Sequence, residues 1–246
     1  MNEVICQLHE RKSVRAFTAQ TISPEIKREI LLAACAAPTA GNQQMYTILD
    51  ITDKNLQKEL SVTCDNQPFI ADAQLVLIFC ADFKKWYDLY SLTGCSPRAL
   101  GVGDFVLSVQ DAVIAAQNAV TAAHSFGLGS CYIGDIMENC EQHRAMLGLP
   151  EYVFPAAMVV FGYPTQQQAD REKPARCELS HIVHENTYRT MEKDELFAMF
   201  DYKKGVLSFE EWCRRFCERK HNSDFSVEMS RSVAEYLKDF QNGEKA

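Results

Sequence analysis

Short and nearly continuous apolar runs mark the segments Tyr46–Ile51, Gln74–Ala81 (QLVLIFCA) and Ala156–Gly162 (AAMVVFG), and each predicts a β-strand. The second lacks alternation, which predicts burial on both faces. Between Asp104 and Phe126 the spacing changes: Val109, Val113, Ala116, Val120 and Ala123 recur at three and four residues among other small side chains. This predicts the longest helix of the chain, covered on most sides. Gly127 and Gly129 fit a left-handed C-cap for it, and Cys131–Ile133 then starts another extended segment. Ser23-Pro24-Glu25 combines a capping hydroxyl, a proline suited to the first turn and an acid beside the positive helix end, and so predicts a helix running to about Ala36. Pro38 stops it. APTAGNQQ then reads as a loop, and the polar run Gln166–Pro174 as a surface loop. The capping box Ser208-Phe-Glu-Glu211 opens a late helix, and a second runs from about Val227 to Phe240. Strands alternating with helices predict an α+β or α/β layer structure.

A chain of 246 residues suffices for one sizeable core, so one main domain with appendages is expected. The net charge of -8 argues against a nucleic-acid partner, and an anionic ligand would need a local basic cluster. The N-terminal MNEVICQLHERKS lacks the apolar stretch of a secretory signal. The run Phe105–Phe126 is broken by Ser108, Gln110, Asp111, Gln117, Asn118 and His124 and fails as a membrane span. A soluble, cytoplasmic protein is therefore expected. Of the ten cysteines, several lie inside apolar runs, Cys35 and Cys80 among them, which suits free buried thiols in a reducing compartment. No C-x-x-C pair occurs. Cys213, Cys217 and His221 recur every four residues on one helix face, where either packing or a metal would account for them.

Four segments carry candidate chemistry. In Arg11-Lys12-Ser13-Val14-Arg15, three cations and a hydroxyl within five residues are able to surround a phosphate; a solvated basic face is the alternative. Pro38-Thr39-Ala40-Gly41-Asn42-Gln43-Gln44 offers small residues for close backbone approach and amides for the edge of a planar heterocycle, or is an ordinary polar loop. The glycines of Gly127-Leu-Gly-Ser-Cys-Tyr-Ile-Gly134 do not form the G-x-G-x-x-G pattern after a strand, so a Rossmann dinucleotide fold is not supported. Lys173-Pro-Ala-Arg176 adds two cations beyond the last strand.

The succession R-K-S-V-R-x-F, A-P-T-A-x-N-x-Q, G-L-G-S-C-Y-I-G, F-G-Y-P and K-P-x-R over residues 11 to 176 resembles the nitroreductase family of FMN-dependent oxidoreductases. His184-Glu-Asn-Thr-Tyr188, Phe79-Cys-Ala-Asp-Phe83 and the extended C-terminal region resemble its NADPH-preferring group of oxygen-insensitive nitroreductases and flavin reductases. The resemblance implies an α+β fold with a central, mostly antiparallel sheet flanked by helices. It also implies a core over residues 1–188, a helical extension over 189–246 packed on the core or the partner subunit, and a homodimer with FMN at its interface. Electrons would pass by ping-pong kinetics from NADPH or NADH to nitroaromatic, quinone or flavin acceptors. Arg11, Lys12 and Ser13, joined by Arg176, would hold the phosphate and ribityl chain; Arg15 would sit near N1 and O2, where a cation stabilises the reduced ring. Thr39 and Asn42 would meet the ring or ribityl chain, Gln67 the pyrimidine edge, Ile133 and Gly134 the ring through their backbone, and Lys173 its polar edge. No side chain need act as nucleophile or base, because the cofactor carries the chemistry.

The sequence departs from the family pattern in three places. P-T-A-G-N looks like the other nitroreductase branch, which leaves NADPH and NADH both open as donors; Lys12 stands where many relatives have His or Arg; and K-P-A-R is one residue longer than the common K-P-R. Arg214, Arg215, Arg219 and Lys220 are candidates for the extra phosphate of NADPH. Two other readings remain at this point, a flavin-binding or storage protein without turnover, and a thiol or metal redox sensor built on Cys213, Cys217 and His221.

Overall fold

The apolar runs form a four-stranded sheet in a computed structural model that describes residues 1–241. Its strands are β1 (Tyr46–Asp50), β2 (Leu75–Asp82), β3 (Gly129–Ile133) and β4 (Val153–Gly162), in the order β1-β2-β4-β3, with all three pairings antiparallel. Every residue of β2 and β4 is buried, as continuous apolar runs require of strands covered on both faces. Pro155 cannot donate to a ladder, yet it lies inside β4, a central strand. The register accommodates it by a bulge: Phe79 pairs with Ala157 and Cys80 with Pro155, leaving Ala156 extra.

Two compact units divide the chain: Met1–Arg171 with Glu228–Ala246, and Glu172–Val227. The expected boundary between residues 188 and 189 falls inside the second. The first unit contains the sheet and the helices α1 (Glu3–Glu10), α2 (Pro24–Cys35), α3 (Lys54–Thr63), α4 (Phe69–Asp72), α5 (Lys84–Leu92), α6 (Val102–Ser125), α7 (Cys140–Leu147) and α8 (Gln166–Asp170). The second contains α9 (Lys193–Phe200) and α10 (Phe209–Lys220); α11 (Asp224–Gln241) belongs to the first unit from Glu228 onward. Where the polar run at Gln166 predicts only loop, α8 makes a short, largely exposed helix.

Helix α6 packs across all four strands. Its sheet-facing side is Ala112, Ala115, Ala116, Ala119, Val120 and Ala123, all fully buried, and their small side chains let the helix axis approach the sheet closely. Ser23 caps α2 as expected, its hydroxyl accepting from the Ile26 N–H at 3.3 Å. The end of α11 returns to the core: Tyr236 stacks edge-on to Phe154 and Phe240 edge-on to Phe105, with centroids 5.1 and 5.2 Å apart.

Candidate functional site

Between α1 and α2, residues 11–17 run as an extended strap against β3 and the end of β4. Ser13 bridges Ser130 in parallel, the Val14 N–H donates to the Ser130 carbonyl at 2.9 Å, and Phe17 bridges Pro164. The strap lies so close that a Cβ on Gly129 would stand 2.6 Å from Val14 Cγ2, and one on Gly162 2.8 Å from Phe17 Cδ1. The glycines of the two motifs are therefore spacers that admit the strap.

Side chains alternate along extended backbone. Val14 is buried, while Arg11, Ser13 and Arg15 converge around the thiol of Cys131 on β3. Burial pushes that thiol up, against the opposing pull of Arg15, Ser13 and Arg11. Lys12 faces elsewhere: its Nζ donates to the Ala169 carbonyl at 2.6 Å and to the Arg171 carbonyl. Arg171 in turn donates through Nη2 to the Ser13 carbonyl, and its Nε–H is buried without an acceptor. The expected cationic pentad thus splits, with Arg11, Ser13 and Arg15 forming a cluster and Lys12 tying the strap to the segment after β4. Nothing in the sequence singles out Arg171. Its only signal is its place just before K-P-A-R.

The chain leaves β3 through Ile133, Gly134 and a single 3₁₀ turn, Asp135–Met137. From Cys131 to Gly134 the strand spans about 10 Å at the usual rise, so this turn and the arginine cluster occupy opposite ends of one strand. Here Gln67 reaches in from the turn after α3. Its Nε2 donates to Asp135 Oδ2 at 2.8 Å and to the Cys64 carbonyl at 2.9 Å. Asp65 and Asn66, with φ of 60° and 50°, form the left-handed corner that presents it.

Against Asp135 lies Glu138, 5% exposed, its Oε1 buried without a partner. Burial, then the adjacent charge and contact of Asp135, then Asp65 and Glu228, push the Glu138 carboxyl up to about 7. A carboxyl raised this way favours the protonated form in the folded state. The stability this contributes is fully present below the unfolded value of 4.5 and lost as the pH rises through about 7. Glu138→Gln should therefore come close to the wild type in urea unfolding at pH 5 and exceed it at pH 8, the gap widening by about 2–3 kcal/mol between the two. Equal gaps at both pH values would contradict the assignment.

The 38–44 loop is held from α6. The buried Asp111 carboxylate accepts from the Ala40 N–H at 3.0 Å and from the Met45 N–H at 3.1 Å. Thr39 Oγ1 accepts from the Gln44 N–H at 3.1 Å, and the Trp86 indole N–H donates to the Gln43 carbonyl at 2.7 Å. Three of its residues, Gly41, Asn42 and Gln44, have φ between 53° and 58°. For Asn42 and Gln44 that conformation costs about 1 kcal/mol or more each, strain that the Asp111 anchor holds in place.

Lys173 and Arg176 belong to the second unit. Arg176 Nη1 donates to the Pro174 carbonyl at 3.1 Å, and its side chain lines a cavity of 630 Å³ with Tyr202, Lys203, Trp212, Phe216 and Arg219. Among the C-terminal cations, Arg214 and Arg215 are both paired to Glu211, at 2.5 and 2.6 Å, while Arg219 lies over the Phe216 ring. Cys213 is exposed, and no group of three His, Cys, Asp or Glu side chains suited to a metal occurs among the described residues. No helix among them is long and apolar enough to cross a membrane.

The model of the nitroreductase family matches residues 8–163. An FMN reductase [NAD(P)H] of Bacillus subtilis is 30% identical over 240 residues, 96% of this chain and 91% of the relative. An oxygen-insensitive NADPH nitroreductase of Salmonella typhimurium is 32% identical over 202 residues, 82% of this chain and 80% of the relative. Among solved structures, the NfrA1 nitroreductase of B. subtilis superposes with a TM-score of 0.83 at 27% identity, covering 98% of each chain. The NADPH:FMN oxidoreductase of Vibrio harveyi complexed with NAD+ does so with a TM-score of 0.83 at 25% identity, covering 96% of this chain and 98% of that one. With the strap, its glycine spacers and the antiparallel sheet all present, the chain belongs to the nitroreductase family.

Proposed function

We propose that this protein is an FMN-dependent oxidoreductase that takes a hydride from NADPH or NADH and reduces nitroaromatic, quinone or flavin acceptors by a ping-pong sequence. The observation that carries the reading is the convergence of Arg11, Ser13 and Arg15 on β3, with the buried and unmet Nε–H of Arg171 beside Ser13. A phosphate supplies the acceptors that such a donor set lacks. The relatives named for FMN reduction and NADPH-dependent nitroreduction support the same chemistry.

When bound, FMN supplies two-electron chemistry, accepting hydride and delivering it to the second substrate. The protein's own residues bind and orient. Arg11 and Ser13 hold the phosphate and ribityl chain, and Lys12 keeps the strap seated. Arg15 stands at the N1 and O2 edge, and Gln67 at the pyrimidine edge. Thr39 and Asn42 meet the ring or ribityl chain, and the backbone of Ile133 and Gly134 contacts the ring.

The active form is a homodimer. Helix α6 leaves Val102, Val106, Leu107, Val113 and Ile114 exposed opposite its sheet-facing alanines, an apolar stripe suited to a second subunit. The ten free thiols suit a reducing, cytoplasmic setting. No specific observation favours flavin storage without turnover or a thiol or metal sensor.

The test is direct. Purified protein should be yellow, carry FMN at about one per subunit, sediment as a dimer and oxidise NADPH or NADH with a nitroaromatic acceptor. Apoprotein that gains no flavin absorbance on FMN titration would overturn the reading; flavin bound without nucleotide oxidation would favour storage.

A further inference from the structure

Gln67 has one amide with two N–H donors and one carbonyl oxygen, and both donors are already used. One goes to the Cys64 carbonyl, at 2.9 Å, and the other to Asp135 Oδ2, at 2.8 Å. A carbonyl and a carboxylate only accept, so the amide has a single orientation compatible with both. The remaining group is Oε1. No described residue donates to it, and it is not among the atoms sealed from solvent without a partner. It is thus an open acceptor, held at the left-handed corner of Asp65 and Asn66 and beside the Gly134 end of β3.

We infer that Asp135 is a positioning residue: with the Cys64 carbonyl it fixes the Gln67 amide so that Oε1 accepts from an imide N–H of the bound ligand. This deepens the FMN reading and rests on it, since the flavin pyrimidine ring presents such a group at N3. Glu138 supports the arrangement from behind. Its buried carboxyl lies against Asp135, and burial together with that neighbouring charge pushes it up to about 7. A Gln67 freed from Asp135 keeps only the Cys64 carbonyl to orient its amide and would turn its NH2 toward the ligand more often, so the preference for a donor on the ligand would weaken.

The experiment compares FMN with N3-methyl-FMN, which lacks that N–H, by fluorescence titration of apoprotein. The wild type should bind the methylated flavin about tenfold or more weakly than FMN, a lost hydrogen bond with an acceptor left unpaired. Asp135→Ala should shrink that ratio to about threefold or less, and Asp135→Asn, which keeps an acceptor oxygen, should restore most of it. A purely structural role for Asp135 would weaken both flavins equally and leave the ratio unchanged, and so would a steric origin of the ratio elsewhere; either result overturns the inference. Should Asp135→Ala not fold, Gln67→Ala at its half-buried turn carries the same expectation, and an unchanged ratio there overturns it too. The two levels fail separately: wild-type protein that binds neither flavin defeats the FMN reading, whereas wild type that binds both equally defeats only the role assigned to Gln67 and Asp135.

Discussion

Asp111→Ala should destabilise the protein by about 2–4 kcal/mol and weaken FMN binding about tenfold or more. The carboxylate accepts two backbone N–H groups, of Ala40 and Met45, from within the core. Removing it leaves both donors without an acceptor, and each orphaned buried group costs about 1–3 kcal/mol. The loop it anchors contains three left-handed residues, Gly41, Asn42 and Gln44, whose conformation persists only while the surroundings hold it. Release of the anchor therefore costs order at Thr39 and Asn42, where the proposed ligand contacts lie, as well as stability. Asp111→Asn keeps one acceptor oxygen and turns an NH2 toward the other N–H, so it should fall between wild type and Ala. Urea unfolding midpoints and FMN titration on the three proteins check this. A variant that loses stability but binds FMN as the wild type does would remove the 38–44 loop from the site.

Asp111 also illustrates what was legible in the sequence. Read along the chain, it is one of the polar residues that disqualify the run Phe105–Phe126 as a membrane span. Its function in the fold, a carboxylate pointed at two N–H groups some seventy residues away, has no local signal. The strands were legible because β2 and β4 are buried on both faces and so read as uninterrupted apolar runs. Helix α6 begins two residues before the expected Asp104 because that residue sits at the third helical position, its side chain accepting from the Gly101 N–H at 2.8 Å. Helix α7 enters through Asn139 in the left-handed region, with no capping hydrogen bond to announce it. Helix α8 has no buried residue and thus no apolar period to read.

For the site, composition disclosed the strap but not its facing. Five residues with three cations read as one phosphate cluster, yet extended backbone sends Arg11, Ser13 and Arg15 to the Cys131 side while Lys12 reaches the Ala169 and Arg171 carbonyls. The motif glycines were legible as permissive positions. Gly127 does adopt φ of 76° at the end of α6, whereas Gly129, also assigned to the C-cap, serves close approach to Val14. Arg171 and Asp135 act through contacts distant in sequence, and no pattern in a single chain marks them.

The strap's facing sharpens the expectation for its two arginines. Both flank Cys131, but Arg15 is exposed, two residues further along, and is assigned to the N1 and O2 edge of the flavin, while the half-buried Arg11 is assigned to the phosphate. Negative charge develops at N1 and O2 on reduction, so a cation there favours the reduced over the oxidised ring and contributes little to holding the oxidised cofactor. Arg15→Ala should then keep much of the FMN affinity but lower the two-electron midpoint potential by about 30 mV or more, the equivalent of about 1.4 kcal/mol, and slow reduction by the nucleotide roughly tenfold. The phosphate keeps its charge in both redox states. Arg11→Ala should accordingly release FMN, with a charge-assisted hydrogen bond of about 1.5–3 kcal/mol lost, and leave the potential of the bound fraction nearly unchanged. If both arginines belonged to a solvated basic face, each substitution would change either quantity only slightly. FMN dissociation constants and spectroelectrochemical titrations of the two variants separate these outcomes, and equal, small changes in both would remove the strap from the flavin site.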